Sequence, residues 1–85
     1  MAYRIEYLAS AARALAKLDR ATAGRVRRAV DALALDPRPC GAKKLVGVGD
    51  WRIRVGDYRV VYAIRDDKLV VLIVRIGHRR EVYER

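Results

Sequence analysis

Apolar and polar positions recur along this chain with two different periods, and the switches between them mark its elements. From Ala2 to Tyr7, Tyr3, Ile5 and Tyr7 alternate with Arg4 and Glu6, which predicts a short half-buried strand. Leu8, Ala11 or Ala12, Leu15 and Leu18 then recur three and four apart. That spacing predicts a helix over Ala9–Leu18 with Ser10 as its N-cap and Arg13, Lys17 and Arg20 on its outer side. A second stripe follows in Ala23, Val26, Ala29 or Val30, and Leu33. Asp19 or Thr22 offers its cap, Arg25, Arg27, Arg28 and Asp31 occupy its other faces, and Asp36-Pro37 ends it. Two prolines and a glycine make Asp36–Lys44 a loop.

Period two returns at Trp51. Trp51, Ile53 and Val55 oppose Arg52 and Arg54, and Gly56-Asp57 supplies a tight turn. Beyond it Tyr58, Val60, Tyr62 and Ile64 oppose Arg59, Val61, Ala63 and Arg65. Asp66-Asp67 predicts another two-residue turn, into a strand over Lys68–Ile76. Leu69–Val74 is apolar at every position, which predicts a strand covered on both faces. After Gly77 the chain turns polar again. The order is therefore β-α-α-β-β-β, class α+β. Sequential hairpins predict an antiparallel sheet, with the N-terminal helical hairpin packed on one face and the arginines on the other. Residues 1–85 are expected to form a single domain with a thin core.

Charge sharpens this picture. The net charge is +9, and 15 of the 19 cations are Arg, the side chain suited to bidentate phosphate recognition. A polyanion is the natural partner. The one cysteine, Cys40, sits between Pro39 and Gly41 and excludes an internal disulfide. With a single His beside it, neither metal nor cofactor is expected. No apolar run reaches membrane length and the N-terminus has no signal pattern, so a cytoplasmic protein without a membrane partner is expected.

Arg52, Arg54 and Arg59 lie within eight residues on a rigid hairpin whose reverse side is apolar, which makes a preformed anion site. Such a site suits RNA strand cleavage by the 2′-OH. That reaction needs a stabilised phosphate, a proton acceptor and a donor to the leaving 5′-oxygen. Arginine does not accept protons in proteins. Tyr83 stands four residues after Arg79, on one side of a helical turn, and would accept or donate a proton if several nearby cations favoured its phenolate. His78 is the only side chain of a type that titrates near neutrality. Other readings stay open at this point. Arg52 and Arg54 equally suit a solvated strand face, Arg59 is placed to pair with Asp57 or a neighbouring acid, and Trp51 suits the core better than base stacking. The residue pattern alone supports a basic polyanion binder and stops short of an enzyme.

The segments KKLVGVGDWRIRVGDYRVVYAI and LVVLIVRIGHRREVY, following a helical hairpin, resemble the RelE toxins of bacterial type II toxin–antitoxin modules. The resemblance spans nearly the whole chain. Its most specific parts are RVGDYRVVY and GHRREVY. The related ParE toxins share the fold and part of the hairpin. The resemblance implies a metal-independent endoribonuclease that cleaves mRNA in the ribosomal A site and leaves a 2′,3′-cyclic phosphate. It implies a catalytic set of Arg52, Arg54, Arg59, Arg79 and Tyr83. Arg52 and Arg54 stand where the family often has lysines, Arg59 and Arg79 match its phosphate-binding arginines, and Tyr83 matches a tyrosine that orients the target nucleotide. Lys43, Lys44, His78 and Arg80 are the further expected RNA contacts. A RelB-like antitoxin is the implied protein partner, with operator DNA reached only through it. A ParE-like poison of DNA gyrase is the alternative.

Overall fold

The computed structural model describes residues 2–47 and 49–78. Arg79, Arg80 and Tyr83 lie outside the described residues. The elements are β1 (Arg4–Tyr7), α1 (Ala9–Ala16), α2 (Arg20–Ala32), β2 (Lys43–Lys44), β3 (Trp51–Val55), β4 (Tyr58–Arg65) and β5 (Val70–His78). The strands form one sheet in the order β1-β5-β4-β3-β2.

The α+β class and the helical hairpin against one face of the sheet agree with the sequence pattern. The sheet itself is mixed. β3, β4 and β5 are antiparallel neighbours joined by short turns. β1 instead runs parallel to β5, with Arg4 opposite Val70 and Tyr7 opposite Ile73. No turn links these two strands, and a parallel pair needs a long crossover. Lys43-Lys44, expected in a loop, forms the edge strand β2, with Lys43 opposite Arg52 and Lys44 opposite Trp51.

The helical stripes are buried as their spacing requires. Ala11 and Leu15 of α1 meet Ala23, Val26, Val30 and Leu33, and all pack on Ile53, Val60, Tyr62, Val71, Ile73 and Ile76 of the sheet. The helix ends differ in one respect. Leu8 is the N-cap of α1 without a side-chain bond, so Ser10 lies inside the first turn and does not cap it. Asp19 does cap α2. It accepts a hydrogen bond from the Thr22 N–H at 3.1 Å, and the Thr22 side chain together with this N–H holds its carboxyl below the usual carboxylate range. At the centre of the core Tyr62 is fully buried, and its hydroxyl donates to the Pro37 carbonyl at 2.7 Å. Burial pushes this phenol up to about 12.

The two hairpin turns set the register of the sheet. Between β3 and β4, Gly56 has φ 61° and Val55 stands opposite Tyr58. The positive φ falls at the first central position of a two-residue turn, where Gly is the residue of choice. The β4–β5 turn is longer than the expected Asp66-Asp67. It spans residues 66–69, puts Leu69 at φ 53°, and pairs Arg65 with Val70. A register shift between Val61 and Tyr62 then leaves Val61 opposite Arg75 and Tyr62 opposite Ile73, with Val74 as the extra residue. β5 is interior, but among the described elements the helices cover only one of its faces. Val70 and Leu72 face the other side, buried and half-buried respectively.

Asp66, at the β4–β5 turn, fastens three distant segments. It accepts from the Tyr3 hydroxyl at 2.6 Å and from Arg38 Nη2 at 2.9 Å. The Arg38 guanidinium also lies over the Trp51 ring, 5.5 Å from its centroid. The loop before β2 is thus tied to the sheet at Pro37 and again at Arg38, and this places β2 beside β3.

Candidate nucleic-acid interface

Strand alternation and the observed register decide which side chains share the face away from the helices. One row across the strands reads Lys43, Arg52, Val61, Arg75. The next reads Arg54, Arg59, Gly77. Five cations therefore stand on neighbouring strands, with no acidic residue in either row. Residues directly opposite on paired strands have Cβ atoms about 4.5–5.5 Å apart. Arg54 and Arg59 are such a pair, and so are Lys43 and Arg52. Like charges held this close oppose folding by up to about 1 kcal/mol, and a bound anion reverses that sign.

The members of the two rows differ in exposure. Lys43, Arg54 and Arg75 are exposed and Arg52 is half-buried. Arg59 is only 5% exposed, which makes it the buried cation among the described residues. Arg54 Nε donates to the Gly56 carbonyl at 3.1 Å, so its guanidinium is steadied by the turn of its own hairpin. Every titratable group in these rows is Lys or Arg. Such a face binds and stabilises negative charge, and it carries no proton acceptor among its described residues.

The expected site residues therefore divide. Arg52, Arg54, Arg59 and Lys43 come together. Lys44 falls by alternation on the opposite side of β2, with Trp51. His78 stands opposite Tyr58 and meets its ring edge-on, centroids 5.5 Å apart, on the helical side of the sheet. Arg79, Arg80 and Tyr83 fall outside the described residues. One cation of the face, Arg75, was absent from the expected site. A two-residue turn at Asp66-Asp67 pairs Val61 with Leu72. The longer turn and the bulge bring Arg75 there instead. Signals for that shift were the two adjacent acids, which leave the turn type open, and the unbroken apolar run, which hides the face of each residue.

Among the described residues no cluster of His, Cys, Asp and Glu is arranged to hold a metal ion, and no helix is long and apolar enough to cross a membrane. Cys40 is exposed in its loop.

A mixed sheet under one helical hairpin, with a basic hairpin face that no described element covers, defines the class, and comparison with known proteins gives it a family. Residues 5–83 match the family described as the ParE toxin of type II toxin–antitoxin system, parDE. Toxin RelG of Mycobacterium tuberculosis is 34% identical over 89 aligned positions, covering 100% of both chains. Among solved structures, the archaeal RelE–RelB complex from Pyrococcus horikoshii superposes with a TM-score of 0.83 at 32% identity. That match covers 93% of this chain and 97% of the other. The intact RelBE toxin–antitoxin complex of E. coli gives 0.81 at 25% identity, covering 91% and 96%. The chain belongs to the RelE/ParE superfamily of type II toxins.

Proposed function

We propose that this toxin is an endoribonuclease that cleaves mRNA in the ribosomal A site. The carrying observation is the open sheet face, where Lys43, Arg52, Arg54, Arg59 and Arg75 converge without a carboxylate in either row. A surface that only meets a protein partner has no need of a buried arginine directly opposite another one. A scissile phosphate does, because its charge grows as the 2′-oxygen attacks. In the reaction the O2′–P bond forms and the P–O5′ bond breaks. The 2′-OH loses its proton and the leaving 5′-oxygen gains one, which yields a 2′,3′-cyclic phosphate and a 5′-hydroxyl. Arg54 and Arg59 grip the non-bridging oxygens, while Arg52 and Lys43 steer the approaching strand. Arg79 joins the phosphate clamp from the tail. Tyr83 orients the target nucleotide and takes part in proton transfer. Lys44, His78 and Arg80 serve RNA binding away from the reacting atoms. No metal and no cofactor enter this scheme.

The solved relatives captured with RelB support a RelB-like antitoxin as partner. An acidic segment wrapped over the open face neutralises it, and operator DNA is then contacted through the antitoxin. A second reading rests on the matched family's own description, ParE. In that reading the toxin poisons DNA gyrase and leaves RNA intact.

The test uses purified ribosomes programmed with a defined mRNA. The nuclease reading expects a cut within the A-site codon. It expects Arg59→Ala to lose about 10²–10³-fold in rate, the usual loss when one donor to a developing oxyanion is removed. Intact mRNA, together with gyrase-dependent DNA breaks in a supercoiled plasmid, assigns the toxin to the second reading.

A further inference from the structure

On the helical side of the same sheet end a second polar cleft opens between α1 and the ends of β4 and β5. Its volume is about 420 Å³. Ser10 and Arg13 line it from α1, Lys17 from the C-cap of that helix, and Tyr58 and Gly77 from the sheet. On the helix the three polar residues stand three and four apart, so they share one face. Arg13 and Lys17 are exposed and make no ion pair among the described residues. Among the described residues the lining carries two cations and two hydroxyl-bearing side chains, and no carboxylate. That is the inventory of an anion site.

Gly77 joins this cleft to the open face, and the hairpin tip two residues before Tyr58 adds a further cation. Gly77 lines the cleft, and in the sheet it stands directly opposite Arg59. At the hairpin tip, Gly56 is approached from both sides. Its carbonyl accepts from Arg54 of the open face, and a Cβ built on it lies 3.8 Å from Arg25 Nη2 of α2. Positive charge thus continues from the Arg54–Arg59 pair round the end of the sheet to the helices. A linear polyanion seated on the open face meets the cleft next. Single-stranded RNA carries the evenly spaced phosphates that such a track binds.

We propose that this cleft is a second phosphate subsite, which holds a backbone phosphate of single-stranded RNA flanking the one gripped by Arg54 and Arg59. The inference rests on the RNA-cleaving reading and extends it from one phosphate to a strand path. Arg13 and Lys17 supply the charge, and Ser10 and Tyr58 supply the neutral donors.

The experiment is an NMR titration of the full chain with a 2′-O-methyl RNA hexamer, which lacks the attacking hydroxyl and stays intact. Weak binding is visible by this method. The subsite expects the amides of Ser10, Lys17 and Gly77 to shift together with those of Arg54 and Arg59. In the Arg13→Gln/Lys17→Gln variant the cleft shifts vanish while the open-face shifts remain. The one flanking phosphate contributes about 0.7 to the salt slope on a single strand, so wild type loses about 2.6-fold more affinity than the variant between 50 and 200 mM salt. Shifts confined to Arg54 and Arg59, or equal salt slopes for the two proteins, overturn the subsite and leave the RNA-cleaving reading standing. No shift at either place overturns both. Cleft shifts given by poly-glutamate but not by RNA assign the cleft to an acidic protein, and these also overturn the proposal.

Discussion

Replacing Tyr62 by Phe removes one oxygen from the centre of the core and leaves its shape unchanged. That oxygen is the donor to the Pro37 carbonyl, at 2.7 Å, in a fully buried place. Without it a buried carbonyl loses its partner, at a cost of about 1–3 kcal/mol. A midpoint near 2 kcal/mol lowers Tm by about 10 °C in a chain of this size. The pH dependence gives a second, independent signature. Burial raises this phenol from 10.0 to about 12, so folding favours its neutral form. Its contribution is complete below pH 10 and is lost as pH rises from 10 to 12. Two pH units correspond to about 2.7 kcal/mol. The stability gap between wild type and Tyr62→Phe should therefore be full at pH 7 and close towards pH 12. Urea unfolding followed by fluorescence of Trp51, the only tryptophan, measures it at both ends. A variant as stable as wild type at pH 7, or a gap that stays constant up to pH 12, refutes the reasoning. The loop ending in β2 hangs on this bond, so the same variant reports on how Lys43 is held beside Arg52.

Three other perturbations separate charge from structure. Arg75→Ala, at an exposed position of the Lys43–Arg52–Val61 row, should leave Tm unchanged. It should also lower the salt slope of RNA binding by about 0.7. Arg38 and Tyr3 both donate to Asp66 and hold its carboxyl below the usual range. Its contribution is present above the unfolded-state value near about 3.9 and is lost as pH falls through the lowered one, so acid titration of Asp66→Asn should show a shallower loss of Tm than wild type in that window. Asp19→Ala removes the cap of α2 and should cost about 1 kcal/mol by denaturant unfolding.

Those elements that local chemistry determines were legible in the sequence. The stripes Ala23, Val26, Val30, Leu33 and Ile53, Val60, Tyr62 are the buried ones, because period alone fixes their faces. Gly56-Asp57 gave the right hairpin, since a two-residue loop admits few turn types. That turn alone places Arg54 opposite Arg59. What failed depended on distant partners. The parallel pairing of β1 with β5 joins segments more than sixty residues apart, with no turn to announce it. Lys43-Lys44 becomes a strand because the loop ties at Pro37 and Arg38 deliver it to β3. A pair of lysines carries no strand signal of its own. The β4–β5 bulge moved Arg75 into the site, and a residue run that is apolar on both faces conceals such a slip. His78 follows Gly77 in chain order, and its face is set by pairing across the sheet. The register places it opposite Tyr58, on the helical side of the sheet.

The most direct test of the account is to induce the chain in cells without its antitoxin and map mRNA 5′ ends by primer extension, beside an Arg59→Ala control. An A-site nuclease gives new cuts at fixed codon positions in the wild type and none in the control. Growth arrest with uncut mRNA, or the same cuts in the Arg59→Ala strain, would contradict it.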